Sequence, residues 1–123
     1  MADNVKKGRT AEEIAAAYLK RKGYRILERN YQIRGGEIDV VAEVGSFLVF
    51  VEVKERKAAA MVSPLESVTR KKRELLLRAA EVYLLRRPTR LQPRFDVVGI
   101  VRERDGSYRI THIENAFGGG TWH

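Results

Sequence analysis

Apolar residues at Ala11, Ile14, Ala15, Tyr18 and Leu19 follow the i, i+3, i+4, i+7, i+8 spacing that draws one stripe along a helix. Thr10 precedes Glu13 at capping-box spacing, and Gly23 stands where a left-handed C-terminal cap belongs, so a helix is predicted over 11–22. The period then changes. Residues 24–31 are rich in aromatic and aliphatic side chains and are punctuated by Gly35-Gly36, which reads as a first strand. Two further strands, 37–44 and 47–54, flank Gly45-Ser46, a pair suited to a type II′ turn with glycine at its first central position. Ser63-Pro64-Leu65-Glu66 repeats the capping-box spacing with proline at the first helical position. From there Val68, Leu75, Leu76, Ala79, Ala80, Val82, Tyr83 and Leu84 carry a helical period to about Arg87, with a break near Thr69. Residues 94–102 and 108–113 read as strands joined at Asp105-Gly106, and the segments 55–62 and 88–93 as loops flanking the second helix. The order is αβββαββ. Its late strand-helix-strand crossover favours one parallel pairing, hence a mixed central sheet flanked by helices in a single α/β domain.

The hairpin turn fixes which residues meet. With Gly45 and Ser46 as the loop, Val44 opposes Phe47, and counting outward Asp39 opposes Glu52 and Glu37 opposes Lys54. Strand alternation puts these four side chains on one face. Directly opposed carboxylates repel, so something must compensate them. A hard divalent cation, Mg²⁺ or Mn²⁺, would do so, because it takes one or two carboxylates together with water and phosphate oxygens. Lys54 at the edge of the same site has two uses: it orients or deprotonates an attacking water, or it balances charge developing on a phosphate oxygen. An alternating Glu-Val-Lys also suits the wet side of a strand, with Lys54 alone relieving the acids. The strand itself argues against that, since Leu48 and Phe50 share the face of Glu52 while Val49, Val51 and Val53 fill the other, as in a central strand.

Composition narrows the partner. The chain has 123 residues, 44% hydrophobic and 33% charged, which is enough to build one core. Twenty-four Lys and Arg against 16 Asp and Glu give +8, and the sequence pI of about 10.0 exceeds the value that flags nucleic-acid binders. Arg70, Lys71, Lys72 and Arg73 form one basic cluster, Arg86, Arg87, Arg90 and Arg94 a second, and Lys57 extends the surface beyond the third strand. Cysteine is absent, which excludes disulfides, thiolate metal sites and cysteine nucleophiles. No apolar run approaches the roughly 18 residues of a membrane span and the start is polar, so a cytoplasmic soluble protein is expected. Asp96, alone in an apolar strand, reads as structural or edge-facing, and His112 as a strand residue rather than a metal ligand.

The order Glu12, then Gly36-Glu37-Ile38-Asp39, then Val51-Glu52-Val53-Lys54 resembles the PD-(D/E)XK pattern of restriction-endonuclease-like folds. More closely, Gly36 to Ala42, Phe50 to Lys54, Arg94 to Val98 and Asn115-Ala116-Phe117 resemble the YraN-like family of small bacterial predicted endonucleases, itself similar to archaeal Holliday-junction resolvases. The resemblance covers about residues 8–117, and departs from it where Ala11 replaces the usual glycine before Glu12 and Ile38 the usual proline before Asp39. It implies a restriction-endonuclease-like nuclease domain over 1–117, after which the glycine-rich segment 118–123 reads as a flexible tail. It also implies that Asp39 and Glu52, with Glu12 from the first helix, hold Mg²⁺ or Mn²⁺ while Lys54 assists the water. Glu37 is expected to support the site by pairing with Lys54, although Glu12 would suit a helix N-terminus without any metal.

The expected partner is DNA, branched DNA by the likeness to resolvases, bound along Lys57, Arg70, Lys71, Lys72 and Arg73 through largely sequence-independent phosphate contacts. Cutting both strands of a symmetric junction needs two sites, so a homodimer is expected, and no membrane association. Two other classes remain. One is a non-catalytic nucleic-acid-binding or recombination accessory module on the same fold; the other is a protein-interaction domain with a basic surface.

Overall fold

The computed structural model describes residues 9–58 and 68–117. In chain order the elements are α1 (Ala11–Arg21), β1 (Arg25–Ile33), β2 (Gly36–Val44), β3 (Phe47–Lys57), α2 (Arg70–Arg86), β4 (Gln92–Arg102) and β5 (Tyr108–Ile113). The five strands make one sheet in sequential order. Only the β3–β4 pairing is parallel, and the other three are antiparallel. This is the mixed α/β architecture that the order of elements predicts, with β3 central, and it is consistent with a restriction-endonuclease-like core.

Local chemistry sets the boundaries. The Thr10 hydroxyl accepts from the Glu13 amide at 3.1 Å and the Glu13 carboxylate accepts from the Thr10 amide at 3.0 Å, so the predicted capping box starts α1. Gly45 has φ +56 while Ser46 is not in the left-handed region, as a type II′ turn requires. Val44 pairs with Phe47 and the ladder runs outward to Val40 opposite Val51, in the predicted register.

Three strand ends lie beyond expectation, the first being that of β1, which continues to Ile33. Strand β3 runs on to Lys57 and β4 begins at Gln92, because the parallel ladder pairs Phe47 with Gln92 and continues to Lys57 with Arg102. Pairing therefore shortens both expected loops. Helix α2 begins at Arg70, where the Thr69 hydroxyl accepts from the Lys72 amide at 3.2 Å, so the break predicted near Thr69 falls at its N-terminal cap. The predicted start at Ser63-Pro64 lies outside the described residues, as does the tail at 118–123.

A layer of apolar side chains covers each face of the sheet. Ile14, Ala15 and Leu19 of α1 pack with Val40, Ala42, Val49, Val51, Val98 and Ile100. Leu76, Ala79, Ala80 and Tyr83 of α2 pack with Ile38, Val41, Leu48, Phe50, Phe95 and Val97. Gly36 lets α2 approach the start of β2, since a Cβ there would lie 3.0 Å from the Leu75 carbonyl oxygen. Among the described residues no helix is long and apolar enough to cross a membrane.

Candidate metal and phosphate site

Strand β2 breaks its alternation at Asp39. Val40 and Ala42 face α1 and Val41 faces α2, yet Ile38 also joins the α2 layer, so the side-chain period slips between 38 and 40. Ile38 therefore does not lie on the opposite face, as strict alternation predicts. On the neighbouring strand Asn30 has φ +54, a left-handed conformation that asparagine tolerates better than most residues. The disturbance spans both strands at one level, and the acidic residues gather there.

The Asp39 Oδ2 accepts from the Val53 backbone N–H at 2.8 Å, where a regular ladder would offer a backbone carbonyl. Glu52, on β3, is 4% exposed. Its Oε2 lies 3.4 Å from the Lys54 Nζ and 3.7 Å from the Lys72 Nζ, while its Oε1 is buried with no hydrogen-bond partner among the described residues. Burial, then the Glu52 carboxylate, push the Asp39 carboxyl up to about 7 against the lowering effect of the Val53 N–H. Glu12, in the first turn of α1, is also raised, by burial first and then by Asp39 and Glu37. With its amide nitrogen facing the two acids, Asn30 donates to Glu12 Oε1 at 3.0 Å and to Glu37 Oε2 at 3.2 Å.

The structure thus brings Asp39, Glu52 and Lys54 together and sets Glu12 and Glu37 beside them through Asn30. Glu37 does not pair with Lys54: the β2–β3 ladder ends at Val40 opposite Val51, the Glu37 carboxylate takes the Asn30 amide, and the lysine goes to Glu52. Asn30 is the residue that sequence reasoning missed. Its signal was an asparagine inside a strand, where that residue is disfavoured unless it does local work.

The expected phosphate-contacting cations divide. Arg70 and Lys71 are exposed at the start of α2. Lys72 turns onto Glu52. The Arg73 guanidinium donates to the Val68 carbonyl at 3.2 Å and lies 5.3 Å from the centre of the Phe117 ring. Lys57 is exposed at the end of β3, and alternation puts it on the α1 side of the sheet with Val51 and Val53. The second cluster is mostly engaged: Arg86 donates to the Tyr31 hydroxyl, Arg87 pairs with Glu28, and Arg94 is turned inward.

Arg94 belongs to a polar network on the α1 side. Asp96, fully buried, accepts from Arg94 Nε and Nη2 at 3.0 Å each, from the Tyr24 hydroxyl at 3.2 Å and from the Asn115 amide at 3.1 Å. His112 Nε2 lies 2.7 Å from the same carboxylate. These bonds hold Asp96 below the usual carboxylate range although burial alone would raise it. Asp96 is structural, and since β4 is flanked by β3 and β5 it is not edge-facing.

Does the acidic cluster suit a cation? Among the described residues no three Asp, Glu or His side chains form a ready-made metal cage. Asp39 and Glu52 nevertheless supply two carboxylates, an unpartnered buried oxygen and a raised carboxyl, an all-oxygen donor set that a hard divalent ion prefers when water and phosphate complete its shell.

The Uncharacterised protein family UPF0102 matches residues 11–100. A UPF0102 protein of Syntrophomonas wolfei is 50% identical over 112 residues, covering 89% of this chain and 96% of that one. One of Carboxydothermus hydrogenoformans is 47% identical over 109 residues, covering 88% and 92%, and one of Chlorobium chlorochromatii is 45% identical over 115 residues, covering 89% of each.

Proposed function

The chain belongs to the UPF0102 family, and from the geometry of its acidic site we propose that it is a metal-dependent endonuclease of the PD-(D/E)XK type that hydrolyses DNA phosphodiesters. One observation carries this reading: two buried, mutually repelling carboxylates, Asp39 and Glu52, flanked by Lys54, with one oxygen of Glu52 unpartnered among the described residues. A pair so placed destabilises the fold, and a divalent cation relieves it. Asp39 and Glu52, with Glu12, would hold Mg²⁺ or Mn²⁺, and the ion would supply Lewis acidity and a water of lowered pKa.

The chain's own groups do the rest. The Val53 N–H fixes the Asp39 carboxylate, Asn30 holds Glu12 and Glu37, and the Lys54 ammonium, paired with Glu52, would orient the attacking water or balance charge on a phosphate oxygen. Arg70 and Lys71, and Lys57 on the other side of the sheet, provide phosphate contacts that position the duplex without reading its sequence. Branched DNA remains the proposed substrate, with two copies of the chain cutting the two strands.

The test is cleavage of labelled duplex, single-stranded, flap and four-way-junction DNA in Mn²⁺ or Mg²⁺, with Glu52→Ala and chelator as controls. The expected result is product that requires metal and disappears in Glu52→Ala. Binding without cleavage on every substrate would instead favour the accessory module, whose affinity depends on salt and not on Mg²⁺.

A further inference from the structure

Of the four consecutive cations at the start of α2, Lys72 is the one that turns inward onto an acid. Arg70 and Lys71 face solvent, and Arg73 is held by the Val68 carbonyl and the Phe117 ring. The Lys72 Nζ lies 3.7 Å from Glu52 Oε2, and the Lys54 Nζ lies 3.4 Å from the same oxygen. The other oxygen of that carboxylate is buried and has no hydrogen-bond partner among the described residues. Glu52 is thus crowded by ammonium groups at Oε2, has the Asp39 carboxyl beside it, and has no geometric hydrogen-bond partner at Oε1 among the described residues.

Helix stability does not account for a lysine at this position. The first turn of α2 contains no acid, and a cation there opposes the positive end of the helix dipole. Nor is Lys72 needed to fill the core, since a third of its side chain is exposed. Its position serves Glu52, a nearly buried carboxylate that would otherwise have Lys54 as its sole ion-pair partner among the described residues.

We propose that Lys72 is a positioning residue that takes the place of the divalent cation on Glu52 in the metal-free protein, and moves to a phosphate oxygen of the bound nucleic acid when the cation enters. This rests on the reading of the site as a metal-dependent nuclease centre. The exchange is non-covalent: Glu52 gives up an ammonium for a doubly charged ion, and the freed ammonium brings three donors to an anion. The flexible four-carbon stem allows the move by rotamer change alone. Because the two events share one side chain they are coupled and reciprocal: phosphate that draws Lys72 away tightens metal binding, and metal that releases Lys72 tightens nucleic-acid binding.

The experiment is Mn²⁺ titration calorimetry on the wild type, Lys72→Met, Lys72→Arg and Lys71→Met in the absence of nucleic acid, followed by duplex affinity with and without Ca²⁺. Lys72→Met is expected to bind Mn²⁺ about five- to tenfold tighter and to lose the gain in duplex affinity that Ca²⁺ gives the wild type. Lys72→Arg, which keeps the charge, and Lys71→Met, which removes an equal charge one residue away, should each stay within about twofold of the wild-type Mn²⁺ affinity. Wild-type Mn²⁺ binding with an unchanged Lys72→Met overturns this inference and leaves the metal site standing. Equal tightening in Lys71→Met also overturns it, since general charge would then explain the effect. A wild type that takes up no Mn²⁺ overturns both this inference and the reading beneath it.

Discussion

Asp39 joins a buried carboxyl, a neighbouring acid and a backbone donor in one residue, and its carboxyl is pushed up to about 7 from an ordinary 3.8. Folded, metal-free protein therefore holds a proton that the unfolded chain releases. The resulting stabilisation is complete below the unfolded value and is lost as pH rises through about 7, above which the ionised pair opposes folding. Asp39→Asn keeps an oxygen for the Val53 N–H and puts a donor toward Glu52. At pH 8, thermal melts without metal should show this variant more stable than the wild type by about 5 °C, with the difference shrinking toward pH 5. A variant no more stable at pH 8 would mean that the two carboxylates do not strain the fold. Such strain is the expected signature of a residue kept for chemistry rather than stability.

At the scale of elements, the strands and helices were legible because each carries a strong local signal: the stripe of α1 with its Thr10–Glu13 cap, the Gly45-Ser46 turn, and the doubly apolar β3. The hairpin count was enough to bring Asp39 and Glu52 to one level and to place Lys54 beside them. It could not show the slip at Asp39, because that slip depends on Asn30 of a different strand adopting a left-handed backbone. Nor could it show which acid takes Lys54, since Glu37 and Glu52 both lie close to it in the predicted register, and only the folded arrangement sets the ammonium against Glu52. The extension of β3 to Lys57 was hidden for a similar reason, being stabilised by pairing with a strand that begins 35 residues further on, at Gln92. Asp96 illustrates the converse. A lone acid in an apolar strand carries no sign of its partners, which come from β1's approach, β4, β5 and the segment after it. Asp96→Ala strands the Arg94 guanidinium, which is 11% exposed. It should lower the unfolding free energy by about 3–5 kcal/mol in urea titrations. A loss below about 1 kcal/mol would show that the network contributes little to seating α1 and β5 on the sheet.

For the whole molecule, the sign of the charge is more informative than its amount. Among the described residues the cations are not gathered on one basic face: Arg94, Arg86, Arg87 and Arg73 are turned to partners within the fold, while Arg70 and Lys71 on α2, Lys57 at the end of β3 and Arg29, which acts on Glu12, are exposed. Arg70 and Lys71 lie on α2, and Lys57 lies on the α1 side of the sheet. Replacing Arg70 and Lys71 together by alanine should weaken duplex affinity by a similar factor for every sequence tried and reduce the slope of log affinity against log salt by about 2. An unchanged slope would move the duplex to another surface. The central claim is that the buried acidic pair works on phosphodiesters through a divalent cation. Its most direct test is single-turnover cleavage, in Mn²⁺, of the DNA structure the wild type cuts best, comparing wild type with Asp39→Asn in preparations whose folding is checked by the melts described above. The account predicts a variant at least as stable as the wild type that cuts at background level. Wild-type cleavage rates in Asp39→Asn would place the chemistry elsewhere in the molecule and contradict it.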